Sequence, residues 1–328
     1  MAAIRLAMEK RRIGNSDLEI APLVLGGNVF GWTADEATSF RILDAFVDAG
    51  GTMIDTADVY SNWVEGHAGG ESETVIGRWL KRDPAKRAKV QIATKVGFLD
   101  GEIVDGEWVA ALQPEVIARA CDASLRRLGA DCIDLYYQHA DNPGISLSDS
   151  LGAMDALVKA GKVRAIGLSQ YRPDRVRVAV ETARREGLTV PCALQTWYNL
   201  VERAKLEGPL LHAALDCGLG VLSFFSLANG FLTGKYRSES DLAKSARGDR
   251  SAQYLGDRGM RVLAALDNVA ADTGAGLGAV ALAWTIAQPG IAGALASATS
   301  VEQLNQNMAA LALKLSPEQI ARLNEASA

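Results

Sequence analysis

Eight short apolar runs, each followed by a helical pattern, predict an α/β protein: a (β/α)8 TIM barrel of parallel strands inside a ring of helices. Three observations carry that expectation. The runs are continuous rather than alternating, as a parallel sheet covered on both faces requires. Eight runs exceed the roughly six strands at which a doubly wound sheet usually stops. The length, 328 residues, suits a barrel of ~250 residues with insertions. No low-complexity linker divides the chain, so 1–328 reads as one domain.

The N-terminal segment has a pattern of its own. Residues 9–23 read as two short runs around an Asn15-Ser16-Asp17 turn, a β-hairpin ahead of the barrel. Strand-type runs then fall at 21–28, 52–58, 90–97, 132–139, 163–170, 192–198, 220–227 and 293–299. Between them lie helical patterns. In 147–161, Leu147, Leu151, Met154, Leu157 and Val158 recur at helical spacing, and Gly161 stands where a C-terminal cap belongs. Two connections, 98–114 and 237–256, exceed the ~12 residues usual for loops. Both follow strands and so belong to the C-terminal face, where barrel active sites are built. The uncharged stretch 273–301 passes the ~20 residues of a membrane span. Gln288-Pro289-Gly290 breaks it, so it reads as a buried helix, a turn and a buried strand. Gly274, Gly276 and Ala279 fit the G-x-G-x-x-A spacing of a dinucleotide fingerprint. They follow a helical pattern rather than a strand, which makes them a loop between two helices.

Composition excludes several function classes. A net charge of −5 argues against a nucleic-acid partner, which needs a basic face. Cys121, Cys132, Cys192 and Cys217 are widely spaced, without C-x-x-C, so no disulfide framework is expected. His67, His139 and His212 form no metal-binding pair, so no metal site is expected either. The first twelve residues carry their charges on the wrong side for a secretory signal. A soluble cytoplasmic protein without a membrane partner is expected.

Four polar residues stand at predicted strand ends: Asp55 and Tyr60 after the second run, Lys95 in the third and His139 closing the fourth. Singly, each has an ordinary structural use. Jointly they have a chemical purpose. A lysine beside a phenol favours the phenolate and lowers its pKa from ~10. An aspartate holds that lysine, and a histidine across the pocket donates a hydrogen bond to a carbonyl oxygen. Such a set protonates or deprotonates an oxygen on a carbon that exchanges hydride. A barrel hydrolase or lyase needing no nicotinamide is a further alternative, with Lys95 as its Schiff-base candidate.

The motifs Ile54-Asp55-Thr56-Ala57-Asp58-Val59-Tyr60, Gly69-Gly70-Glu71-Ser72-Glu73, Ala93-Thr94-Lys95 and Asp134-Leu135-Tyr136-Tyr137-Gln138-His139 occur in that order. With Ile166-Gly167-Leu168-Ser169-Gln170 and Gly230-Phe231-Leu232-Thr233-Gly234-Lys235, they resemble the aldo-keto reductase superfamily over nearly the whole chain. The resemblance implies a barrel enzyme that interconverts a carbonyl and an alcohol by hydride transfer with NADP(H), bound without a Rossmann domain. Tyr60 is then the general acid/base, Lys95 and Asp55 its tuners, and His139 the residue that orients the carbonyl. Ser169, Gln170 and Gln195 match positions that grip the nicotinamide carboxamide, with Gln170 replacing the commoner Asn. Phe224 matches the aromatic that stacks on the nicotinamide. Leu227, Gly230 and Lys235 follow it as further cofactor-binding candidates, as does Asn307 beyond the phosphate segment. The superfamily also includes potassium-channel β subunits, so a cofactor-binding regulatory subunit is the alternative.

Two segments depart from that pattern. The usual Tyr-Ser-Pro-Leu is here Phe224-Phe225-Ser226-Leu227. Thr299 and Gln303 stand where many relatives place Arg or Lys against the 2′-phosphate of NADP. The hydroxyls of Ser297, Thr299 and Ser300 and a helix N-terminus remain for that phosphate, and Ser300 with Gln303 reads as a capping box. NADP(H) is therefore preferred, with NAD(H) as an alternative. Trp32, Trp63 and Trp108 lie in loops at the catalytic face as candidate pocket walls. Asp100, Glu102, Asp105 and Glu107 make the long 98–114 loop acidic, which disfavours carboxylated substrates. Oligomeric state is not legible in the sequence.

Overall fold

A computed structural model describes residues 9–104, 107–245 and 248–328. Its centre is a closed barrel of eight parallel strands: β3 (Leu23–Gly26), β4 (Met53–Asp55), β5 (Gln91–Val96), β8 (Ile133–Gln138), β9 (Val163–Ser169), β10 (Ala193–Trp197), β11 (Gly220–Phe224) and β12 (Ile291–Ala296), which pairs back with β3. Helices α1 (Glu36–Asp48), α2 (Glu71–Arg82), α3 (Pro114–Leu128), α4 (Leu147–Lys159), α5 (Pro173–Glu186) and α6 (Pro209–Cys217) fill six of the connections. The last connection carries two, α7 (Asp257–Thr273) and α8 (Leu277–Ala287). After β12 come α9 (Val301–Met308) and α10 (Pro317–Ser327). The barrel expectation holds. The eighth strand starts two residues earlier than its apolar pattern suggested, at Ile291.

The N-terminal hairpin forms from β1 (Arg11–Arg12) and β2 (Glu19–Ile20), paired antiparallel. It plugs the barrel floor. Ile13, Leu18 and Ile20 are fully buried with Val24, Met53 and Ala93 from the strand interiors. The approach is backbone on backbone: a Cβ on Gly14 would lie 2.2 Å from the Cys192 carbonyl oxygen, and Gly14 has φ +50°. Outside the strands, a second core joins them to the helices. There α8 is buried on nearly every side, as a helix apolar all round must be. Trp284 Nε1 donates to Asn324 Oδ1 at 2.9 Å and ties α8 to α10.

The 273–301 stretch forms the end of α7, a loop, α8, a turn and β12, as its pattern suggests. Of the glycine-spaced segment, Gly274 to Gly276 forms the α7–α8 loop, while Ala279 already lies in the first turn of α8 rather than in the loop expected for it. Among the described residues no single helix is long and apolar enough to cross a membrane. The 98–114 connection is more ordered than a plain loop. It holds β6 (Glu102–Val104) and β7 (Glu107–Val109), paired antiparallel. The 237–256 connection contains two short 3-10 segments, Glu239–Lys244 and Gly248–Tyr254.

Candidate active site

Strand periodicity decides what faces the barrel axis. Met53, Ala93, Leu135 and Ala193 lie in the inner core. Successive side chains alternate between faces, so Asp55, Lys95, Tyr137 and Gln195, two residues further on, form the next layer towards the C-terminal mouth. A Cβ on Gly167 would lie 2.5 Å from the Tyr137 ring, so this glycine makes room for that phenol.

This layer carries a buried charge network. The Lys95 ammonium donates to Asp55 Oδ1 at 2.5 Å, to the Thr56 carbonyl at 2.7 Å and to Tyr60 Oη at 2.9 Å. All three of its protons are thereby used. Gln195 Nε2 donates to the other Asp55 oxygen at 2.8 Å. Lys95 and Asp55 are almost fully buried. Burial works against the ammonium, but Asp55 and Tyr60 outweigh it and hold the Lys95 pKa above its usual value.

Tyr60 differs from expectation. Burial raises its pKa, Lys95 lowers it and Asp55 raises it again, and the net displacement is upward. The phenol is therefore protonated at rest. The lysine opposes burial without reversing it, because the charge of Asp55 offsets much of its own.

His139 follows β8, and its ring lies 6.2 Å from that of Tyr60. It stacks on Phe98 at 4.2 Å, and its Nδ1 is buried without a hydrogen-bond partner among the described residues. Burial and then Lys95 push its pKa well below the usual value, so the imidazole is neutral. Trp63 meets Tyr60 edge-on at 6.2 Å and Trp32 at 5.6 Å, so the structure brings these two tryptophans together beside Tyr60. The third, Trp108, has its backbone in β7, and its side chain lies outside the described residues. So do Asp105 and the Glu107 side chain, while Asp100 pairs with Arg119 at 3.1 Å.

Residues expected to bind a cofactor gather at the ends of β9 to β12. Ser169 is buried at the end of β9. Gln170, left-handed at φ 55°, donates from Nε2 to the His139 carbonyl at 3.1 Å. Phe224 is half-buried on the inner core. Beyond it Phe225, Ala228 and Asn229 all have positive φ, and Asn229 Oδ1 is buried without a partner among the described residues. Non-glycine residues held there cost ~1–3 kcal/mol each and cluster at ligand clamps. Leu227 and Gly230 belong to the same loop, and Lys235 is exposed with its ammonium over the Tyr236 ring.

The segment around α9 corrects one detail. Ser300 Oγ accepts from Gln303 N at 3.2 Å, but the Gln303 side chain accepts from Thr299 N and Oγ1, both at 3.0 Å, rather than from Ser300 N. Half of the capping box forms, and its second half is shifted by one residue. Ser297 Oγ is bonded to Asn28 Oδ1, and Asn307 Nδ2 donates to the Ser297 carbonyl at 3.2 Å.

A family model described as the aldo/keto reductase family matches residues 22–328. The chain belongs to this family. Aldo/keto reductases are oxidoreductases that act on small-molecule carbonyl substrates with a nicotinamide cofactor. Aldo-keto reductase str7 of Strobilurus tenacellus is 32% identical over 320 residues, covering 95% of this chain and 88% of the relative. Aldo-keto reductase yakc [NADP(+)] of Schizosaccharomyces pombe is 29% identical, covering 98% and 92%. A probable voltage-gated potassium channel subunit beta of Oryza sativa subsp. japonica is also 29% identical, covering 93% and 91%.

Sequence reasoning passed over Tyr137, Phe98 and Asn28. Tyr137 was detectable, since it has the same inward parity along its strand as Leu135. Phe98 and Asn28 sit in loops, where no periodicity points.

Proposed function

We propose that the protein is an NADP(H)-dependent oxidoreductase that interconverts an aldehyde or ketone and an alcohol, with Tyr60 as general acid/base. The observation that carries this reading is the Tyr60–Lys95–Asp55 chain, with contacts of 2.9 and 2.5 Å at the barrel mouth. When bound, NADP(H) supplies or accepts the hydride. Tyr60 donates its proton to the developing alkoxide in reduction and recovers it in oxidation. Lys95 stabilises the phenolate left behind, and Asp55 with Gln195 fixes Lys95. His139, neutral through the physiological range, donates to the carbonyl oxygen and turns it towards Tyr60. Trp32 and Trp63 wall the pocket, and Trp108 is assigned there on sequence grounds alone.

The residues present suit a dinucleotide. Ser169, Gln170 and Gln195 would hold the nicotinamide end, and Phe224 would offer it an aromatic face. The partnerless Asn229 Oδ1 in a strained loop with Leu227, Gly230 and Lys235 suits the pyrophosphate region. Ser297, Thr299 and Gln303 around the start of α9 would hold the 2′-phosphate, aided by the helix N-terminus, with Asn307 near the other end of α9 steadying the Ser297 carbonyl. The NADP(+) in the yakc name favours the same cofactor. NADPH preference is moderate on this reading, with NADH also accepted. The reading takes 1–328 as one catalytic domain working in the cytoplasm. Fluorescence titration of the purified protein with NADPH and with NADH tests it. Both should bind, NADPH more tightly; binding of neither would remove both the enzyme and any channel-type subunit role.

A further inference from the structure

Behind the Tyr60–Lys95 pair, between the barrel and helices α2 and α3, lies a second buried group of ionisable side chains. Asp58 stands two residues before Tyr60, and its N–H donates to the Lys95 carbonyl at 3.3 Å. Its side chain is buried, and neither carboxyl oxygen has a partner in hydrogen-bond geometry among the described residues. Each neighbouring element turns one group towards it. Glu73 comes from α2, Arg127 from α3, Tyr136 from β8, and two backbone N–H groups, Gly97 just past β5 and Val59 of its own turn, work weakly in favour of the charged form. Arg127 Nε is engaged by Glu73 Oε2 at 2.6 Å, and Thr94 Oγ1 donates to the other Glu73 oxygen at 2.6 Å. Glu73 thus holds both strong donors. Asp58 faces a buried carboxylate with neither, and an unpaired buried charge is costly.

We infer that Asp58 is a positioning residue for Tyr60: its neutral carboxylic acid seats the turn that bears Tyr60, and loss of that proton to water unseats it. The inference rests on the reading of Tyr60 as general acid/base. The geometry explains the coupling. Thr94 precedes Lys95, Asp58 precedes Tyr60 by two residues, and one cluster anchors both. Burial and then the Glu73 charge push the Asp58 carboxyl up to about 8, within the working range of an enzyme. A second negative charge appearing there repels Glu73 and draws water under the turn.

The proton also sets the sign for stability. Between an unfolded pKa of ~3.9 and a folded value of about 8, the native state holds a proton that the unfolded chain has released. Stability attributable to Asp58 therefore falls as pH rises through that window.

Asp58→Asn, which mimics the neutral acid, tests both statements. In wild type, turnover in the reductive direction should fall about tenfold per pH unit above about 8, while the variant stays flat to ~pH 9 and keeps wild-type turnover at ~pH 6. The variant's Tm should gain on wild type steadily from ~pH 5 to ~pH 8. Parallel Tm curves would overturn the neutral Asp58. An unmoved alkaline limb with diverging Tm curves would overturn the positioning role, while leaving the Tyr60 assignment to its own test. Should Asp58→Asn fail to fold, the infrared carbonyl band of a protonated carboxylic acid in wild type decides. It should be lost near pH 8; its absence at ~pH 6 would overturn the inference.

Discussion

Replacing Lys95 by Met separates the structural use of the lysine from its chemical one. The ammonium and the Asp55 carboxylate are 1% and 2% exposed and 2.5 Å apart. Removing one partner of a buried pair leaves the other charge uncompensated, which costs about 3–5 kcal/mol. Gln195 would then remain on Asp55 with one hydrogen bond of 2.8 Å, beside the neutral Tyr60 hydroxyl, and no cation. Against a typical total stability of 5–15 kcal/mol, that is about two fifths at the mid-values. Asp55→Asn in the same molecule removes the stranded charge, so the double variant should recover most of that loss. Activity should behave differently. Without Lys95, burial acts on Tyr60 unopposed, its pKa rises further, and the phenolate loses its stabiliser. Both variants should therefore be slow, by about 10²-fold or more. Urea denaturation and steady-state turnover on the single and double variants provide the assay. A single variant as stable as wild type, or a double variant that regains turnover with its stability, would refute the reasoning.

Two further outcomes are expected. Gln303→Arg should tighten NADPH relative to NADH, since a hydrogen bond to a charged group contributes ~1.5–3 kcal/mol. It also removes the Gln303–Thr299 bonds, so dissociation constants for both cofactors at one salt concentration are the readout, and no gain would show that the phosphate lies elsewhere. His139 is held neutral by burial and then by Lys95, so by NMR its imidazole should take up a proton only well below the usual histidine range. Because its folded pKa is depressed, it lowers stability as pH falls below the unfolded value of ~6.5; an ordinary titration near 6.5 would contradict this.

The barrel was legible because a parallel strand buried on both faces leaves an unbroken apolar run, and eight of them can close. Asp55, Lys95 and His139 were legible because they are the polar residues that interrupt such runs at their ends. Depth was not legible. The sequence shows a lysine near a tyrosine, but not that burial would outweigh the lysine and raise the phenol's pKa. Nor does it show that Arg127, 54 positions from Glu73, would occupy the donor site that Asp58 lacks. Side-chain choices at helix ends were half legible. Ser300 caps α9 as its pattern indicates, while Gln303 reaches one residue further back, to Thr299. The pairing of β6 with β7 inside 98–114 was not legible, because Glu-Ile-Val and Glu-Trp-Val are too short to show a strand period.

The central claim is that Tyr60 transfers the proton, and Tyr60→Phe tests it most directly. The substitution deletes one hydroxyl and keeps the ring against Trp63. Lys95 keeps Asp55 and the Thr56 carbonyl, so the site stays assembled. Turnover at saturating NADPH, measured beside NADPH affinity on the same preparation, is predicted to fall by about 10²–10⁴-fold with affinity nearly unchanged. Retention of more than about a tenth of the wild-type rate would contradict the assignment.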